Sequence, residues 1–282
     1  MIFRAQWMSG RPHIGAMSIL TLCFFSCSLW AQEREPGTPP PPPLPPPQAR
    51  TNERVAIRAG RLFTGKADDL AKEQVILIEG SRIVQVGPAS DVHIPSGTDV
   101  LDLSNVTVLP GLIDGHTHIF GNGPDMDEQM LKEPLQYRTL EALVNVQRDL
   151  YIGFTTLRDL KTLGGGYGDV DLRNAINKGL VQGPRLQVSG RGFATTGGFR
   201  PKGYSRDIPL PSMLQTVDNP WEARKGVREQ LMNGTDWIKF YAAYEFTFSP
   251  DGKIVNPPTF TFEEVQAFVD EAHDKGDRKS VV

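Results

Sequence analysis

Val108-Leu109-Pro110-Gly111-Leu112-Ile113-Asp114-Gly115-His116-Thr117-His118 is the stretch on which the reading of this chain turns. A β-branched run, Val106-Thr107-Val108, meets Pro110-Gly111, and a second apolar segment ends in two histidines one residue apart. Side chains of an extended strand alternate between faces, so His116 and His118 share a face and Thr117 takes the other. Two imidazoles on one face at a strand end are a ready pair of nitrogen ligands for a divalent metal. The plainer alternative is two ordinary, partly buried histidines. The chain has only 5 histidines, and placing two of them after Gly-Leu-Ile-Asp-Gly favours the metal reading.

Working outward, the segment before the motif is rich in short strands. Residues 55–57, 74–78 and 82–86 are apolar and β-branched, and Glu79-Gly80-Ser81 supplies a hairpin turn between the last two. After His118, strand and helix signals alternate, which predicts βα units on a parallel sheet. Leu140, Leu143, Val144 and Leu150 are spaced for one helical face, and Gly153 follows as a stop. Phe154 to Leu157 reads as a second barrel strand ending in Arg158-Asp159, with a helix near 172–178 and a third strand over 185–189. A helix over 221–232 stops at Asn233-Gly234 and leads to a fourth strand over 236–241.

The last helix has the best-defined start. Thr261 and Glu264 form a capping box, Phe260 and Val265 a hydrophobic staple, and Val265, Phe268, Val269 and Ala272 an apolar stripe ending at Gly276. In the fourth strand, alternation places Trp237, Lys239 and Tyr241 on one face, with Ile238 and Phe240 on the other. The apolar pair suits a helix layer, so Lys239 faces the barrel interior. An interior lysine is costly unless neutralised or paired. A lysine snorkelling from a strand edge is the alternative.

The first residues stand apart. Arg4, Arg11 and His13 precede an apolar run from Ile19 to Trp30 that ends in Ala31-Gln32, which reads as a secretory signal peptide over 1–31. The run is short for a membrane span, which needs about 20 apolar residues. Phe24-Phe25-Ser26-Cys27 loosely resembles a lipobox, so a lipoprotein is the secondary option. Both cysteines, Cys23 and Cys27, fall inside this leader, so a mature periplasmic or extracellular chain has no disulfides. Residues 32–53 form a linker in which Pro36 to Pro47 hold nine of the 23 prolines. Such a tract is an extended spacer, with a role as a proline-rich ligand as the alternative. With 30 basic and 33 acidic residues, net charge −3, the composition points to neither nucleic acid nor an anionic membrane as partner.

Taken together, the motif segment, the phrase Ile57-Arg58-Ala59-Gly60-Arg61-Leu62-Phe63, Leu157-Arg158-Asp159, Gly183-Pro184-Arg185, Thr195-Thr196-Gly197-Gly198, Pro201-Lys202-Gly203-Tyr204 and Asp236-Trp237-Ile238-Lys239-Phe240-Tyr241-Ala242 resemble the amidohydrolase superfamily. The branch is the exported bacterial one related to imidazolonepropionases and Xaa-Pro dipeptidases. The resemblance runs from about Arg54 to Gly276. It implies an α/β fold: an incomplete small β-sandwich over 54–109, then about four βα units over 110–276 of a (β/α)₈ TIM barrel. It implies that His116, His118 and Lys239 are metal ligands, with Lys239 carbamylated and bridging two divalent ions, zinc being the default. It implies a water activated for attack on an amide carbonyl, with a small molecule or dipeptide as substrate.

Asp159, Tyr241 and the Gly197-Gly198 loop lie where strands end, the face on which barrel enzymes place their active sites. Asp159 and Tyr241 therefore join Lys239 as candidate catalytic residues, although Asp159 equally suits a structural turn. A mononuclear cyclic-amide hydrolase is the competing enzymatic reading, and a binding or inert fragment the non-enzymatic one. His93 and His273 receive no role. The family's ligands from strands five, six and eight are not reached, so the chain is expected to be truncated and inactive as it stands. Asp277 to Val282 are expected to be a non-native tail, since one back-translation of them, GAT-CGG-AAG-AGC-GTC-GTG, resembles a sequencing adapter.

Overall fold

The computed structural model describes residues 54–274, except 67, 123–124, 199–200, 202 and 244–245. The expected leader, linker, Gly276 stop and C-terminal tail lie outside the described residues. In chain order the elements begin with β1 (Arg54–Leu62), β2 (Ala71–Glu79), β3 (Arg82–Pro88), β4 (Asp99–Val108) and β5 (Leu112–Thr117). There follow α1 (Met126–Lys132), α2 (Leu135–Tyr151), β6 (Phe154–Asp159), α3 (Gly168–Asn177) and β7 (Arg185–Val188). The two-residue strands β8 (Phe193–Ala194) and β9 (Gln215–Thr216) precede α4 (Pro220–Met232). Last come β10 (Thr247–Phe248), β11 (Ile254–Val255) and α5 (Phe262–Asp274). This is a mixed α/β fold.

The N-terminal strands form one sheet in the order β3-β2-β1-β4, with β1 and β4 parallel and the other pairs antiparallel. The expected hairpin at Glu79-Gly80-Ser81 joins β2 to β3, with Glu79 paired to Arg82. Alternation along β2 sends Val75 and Leu77 to one apolar cluster and Ile76 to another, so both faces of the sheet bury side chains. Over 54–109, where an incomplete small β-sandwich was expected, the described residues form this one four-stranded sheet.

The second sheet is parallel, β5-β6-β7, as the βα alternation required. Gly111 permits its start, because a Cβ there would stand 2.2 Å from the Thr155 hydroxyl oxygen at the head of β6. Segment 236–241 continues the sheet beside β7 and β8, but not as the regular strand expected. It is held by Asp236 and Trp237 N–H groups donating to Val188 O, by Phe193 N donating to Lys239 O and by Tyr241 N donating to Phe193 O. The third strand is itself broken, between Val188 and Phe193, so its neighbour pairs in two separate places.

Helices cover one side of this sheet. Ala142 and Val146 of α2, with Val170 and Leu172 of α3, pack on Leu157, Leu186 and Val188. Ala223 and Val227 of α4, with Ala267, Phe268 and Ala272 of α5, pack on Phe193 and Ile238. Phe240 stacks on Phe268 at 5.2 Å between centroids, so the two apolar residues of segment 236–241 face the helices as alternation predicts. The capping box forms as expected: Thr261 N donates to Glu264 Oε2 at 2.7 Å, and Glu264 N to Thr261 Oγ1 at 3.3 Å.

One expected helix face holds in part and one is corrected. In α5, Phe268 and Ala272 of the expected stripe are fully buried and Val265 packs on the same cluster, while Glu264, Ala267 and Glu271 are buried as well, Glu271 pairing with Arg228 of α4 at 2.6 Å. In α2, Leu140 is 64% exposed and Val144 is exposed as well, while Arg138, Ala142 and Val146 turn inward. The cause is polar. Arg138 donates to Leu163 O at 2.8 Å and Asn145 to Ile119 O at 3.0 Å, capping carbonyls of the loops after β5 and β6. Leaving those groups unpaired in the interior would cost more than exposing a leucine.

Candidate metal and catalytic site

β5 delivers the two histidines to the C-terminal edge of the parallel sheet. Thr117 lies level with Asp159 of β6, and Asp159 level with Val188 of β7, so the residues just beyond them share one rim. The His116 and His118 rings meet edge to face, 5.3 Å apart, as a shared face requires. Asp114 Oδ1 accepts from His116 N at 2.9 Å and fixes the turn of the strand end, where the β5–β6 register shifts.

Both imidazoles are biased to the neutral, metal-ligating form. Burial first, then Lys239 and Arg158, lowers His116. His118 falls to about 4 through burial, then Lys161 and His116. His118 Nδ1 lies 3.3 Å from Lys161 O. A carbonyl only accepts, so Nδ1 carries the proton and Nε2 keeps its lone pair for a metal.

Lys239 is 9% exposed and also lies on this rim. Burial, then the Arg158 charge, lowers it from the ordinary lysine value. Its Nζ stands 4.8 Å from the centre of the Tyr241 ring. The set fits part of a metal centre: two neutral imidazoles and a buried amine biased toward its unprotonated, carbamylatable form. Among the described residues no third His, Cys, Asp or Glu gathers with them.

The structure brings Tyr241 to the site but keeps Asp159 behind it. Asp159 is fully buried on the helix side of β6, and its Oδ1 accepts from Ile119 N at 3.1 Å, directly after His118. Its Oδ2 is buried without a hydrogen-bond partner. Burial, then the neighbouring Asp169 carboxylate, pushes it well above the usual carboxylate range. Asp159 therefore touches the backbone that carries His118 rather than open space. The Gly197-Gly198 loop borders a separate hollow of about 460 Å³, lined also by Arg206, Ile208 and Leu210. A larger hollow, about 860 Å³, lies on the N-terminal sheet around Arg58, Lys72 and His93, away from the histidine pair. His273 is exposed on the last turn of α5.

Two site residues escape a reading of the sequence for ligands. Arg158 points to the sheet face opposite the helices, donating from Nε to Gly115 O at 2.6 Å and lying 4.4 Å over the Trp237 ring. Lys161 is only 4% exposed, and burial, then Lys239, pulls it down to about 8. Its φ of +129° is a conformation that L residues rarely adopt, costing of order 1–3 kcal/mol, and such strain clusters at functional sites. The signal for Lys161 in the sequence is its place two residues past a strand end, before Gly164-Gly165-Gly166.

Several known proteins are similar to this chain. A solved Xaa-Pro dipeptidase with bound methionine in the active site matches at 30% identity and TM-score 0.66, over 81% of this chain and 56% of its own. A prolidase complexed with N-methylphosphonate-L-proline matches at 28% identity and TM-score 0.67, over 81% and 55%. Imidazolonepropionase of Klebsiella pneumoniae is 35% identical over 98 residues, 33% of this chain and 24% of that protein. The chain thus spans little more than half the length of these solved structures. The model of the amidohydrolase family matches residues 107–280, the greater part of the chain, and the chain belongs to that family.

Proposed function

We propose that this chain carries the first half of a metal-dependent hydrolase that cleaves C–N bonds of Xaa-Pro dipeptides or N-acyl amino acids. The observation that carries the reading is the edge-to-face pair of His116 and His118 at the strand ends of a parallel sheet, with the buried Lys239 near enough for its charge to act on both. In this reading β5, β6, β7 and segment 236–241 are the first four strands of a (β/α)₈ barrel. A divalent metal bound there, zinc by default, supplies Lewis acidity toward an amide carbonyl and makes water more acidic.

The protein's own residues have distinct tasks. His116 and His118 would hold the metal through neutral imidazole nitrogens. Lys239, its amine carbamylated by carbon dioxide with release of a proton, would supply an anionic oxygen donor in place of a cation. Asp159, through Ile119 N, fixes the strand end behind His118 and is a positioning residue. Tyr241 forms a wall of the substrate site. Likeness to the two prolidase-type structures over 81% of the chain supports the dipeptidase reading over the cyclic-amide hydrolase, whose support covers 33%. Export is part of the proposal, from the leader-like residues 1–31. Among the described residues no helix is long and apolar enough to cross a membrane.

The test is hydrolysis by protein expressed from the complete gene with zinc and bicarbonate. Release of proline from Xaa-Pro dipeptides or of amino acids from N-acetyl amino acids is expected. It should be abolished by a chelator and by Lys239→Ala, with partial rescue of that variant by a short-chain carboxylate. Metal-loaded protein that cleaves neither substrate class contradicts the proposal, and full activity with two metals in Lys239→Ala contradicts the carbamate.

A further inference from the structure

Two lysines, arriving from different strands, share the rim of this site. Their stems flank one glycine: a Cβ built on Gly192 would lie 3.5 Å from Lys239 Cγ and 3.7 Å from Lys161 Cγ. Both ammonium groups lie against the same ring, with Lys161 Nζ 5.1 Å and Lys239 Nζ 4.8 Å from the Tyr241 centroid. Arg158, the third cation, is engaged by Gly115 O and the Trp237 face. Lys239 is assigned to the metal bridge. Lys161 has no task in that chemistry, yet the fold holds it with care. Its carbonyl faces His118 Nδ1, its backbone takes φ +129°, and its side chain is almost wholly buried.

We propose that Lys161 determines substrate specificity by anchoring a carboxylate, the free C-terminal carboxylate of a dipeptide or N-acyl amino acid. The proposal rests on the hydrolase reading above and names the residue that would recognise the free carboxylate of its substrates. Three physical points support it. A cation at 4% exposure acts in a medium of low dielectric, where its pull on an anion is far stronger than in water. An ammonium and a carboxylate form a charge-assisted hydrogen bond, about twice as strong as a neutral one. The backbone of Lys161 is tied to His118, so an anion held there sits at a fixed offset from the ligating imidazoles, and the Tyr241 ring sets its offset from Lys239. The Asp127 carboxylate favours the charged form of this ammonium against the repulsion of Lys239.

The experiment uses complete-gene protein as wild type, Lys161→Met and Lys161→Arg. Calorimetry compares binding of L-proline with L-prolinamide, and kinetics compare glycyl-L-proline with glycyl-L-prolinamide. Wild type should prefer each acid over its amide by about 10- to 100-fold, the span of a hydrogen bond to a charged group. In Lys161→Met the ratio should fall toward one, mainly through KM, and Lys161→Arg should restore most of it. An acid preference unchanged in Lys161→Met, or absent from wild type, overturns the anchor. A preference that depends on Lys161 only for a cyclic-amide acid such as 5-oxoproline overturns the dipeptide assignment. Failure of the hydrolase reading looks different: L-proline is preferred through Lys161, but no amide bond is cleaved.

Discussion

At the scale of single residues, the site joins groups whose proton preferences run in opposite directions. Burial and Asp169 hold Asp159 well above the ordinary carboxylate range, and burial lifts Asp169 to about 6. A carboxyl raised in the folded state favours folding at low pH, and that contribution is lost as pH rises from about 4 through the raised value. His118, lowered from 6.5 to about 4, acts the other way: the folded state loses stability as pH falls through that window. Asp159→Asn keeps an acceptor for Ile119 N, removes one ionisation and leaves His118 in place. Measured against wild type between about pH 4 and 7, its denaturation midpoint is expected to gain as pH rises. A pH-independent difference contradicts a proton held by the Asp159–Asp169 pair. The histidine pair was legible in the sequence because ligand spacing on a strand is a local signal. Lys161 was not, because a lysine beside three glycines has the same sequence appearance whether it is solvated or folded under a tyrosine.

At the scale of elements, the packing of α4 gives a test that helix propensity alone would get wrong. Gly226 lies in the helix interior, where alanine is normally better by about 1 kcal/mol. A Cβ there would stand 2.5 Å from the Phe193 ring, itself fully buried against Phe268. Gly226→Ala is expected to destabilise by about 1–3 kcal/mol, read from the urea midpoint, because the Phe193 strand must shift. A stabilised variant contradicts this packing. The start of α5 could be predicted because its capping box uses residues three apart. The facing of α2 could not, because an apolar stripe does not reveal which loop carbonyls need Arg138 and Asn145. The break between β7 and β8 was hidden for a similar reason: it depends on pairing with segment 236–241, far along the chain.

At the scale of the whole molecule, the parallel sheet has its helices on one side and an open face on the other. Ile113 is 72% exposed and Leu112 47% exposed on β5, and Ile83, Val84, Val100 and Leu101 are exposed on the N-terminal sheet. Exposed apolar strands of this kind recruit other strands. This 282-residue chain is therefore expected to self-associate in size-exclusion chromatography with light scattering and to enhance the fluorescence of an apolar dye. A sharp monomer peak without dye binding contradicts that. The α/β class and the order of βα units were legible from alternating periodicities, whereas the strand order of the N-terminal sheet depends on long-range pairing such as β1 with β4. The central claim is that His116, His118 and Lys239 hold metal, and the direct measurement is metal content after exhaustive dialysis of complete-gene protein grown with bicarbonate. Wild type should retain zinc, and His116→Ala, His118→Ala and Lys239→Ala should each lose most of it while remaining folded by circular dichroism. Metal content at the wild-type level in both histidine variants, or none in wild type, contradicts the account.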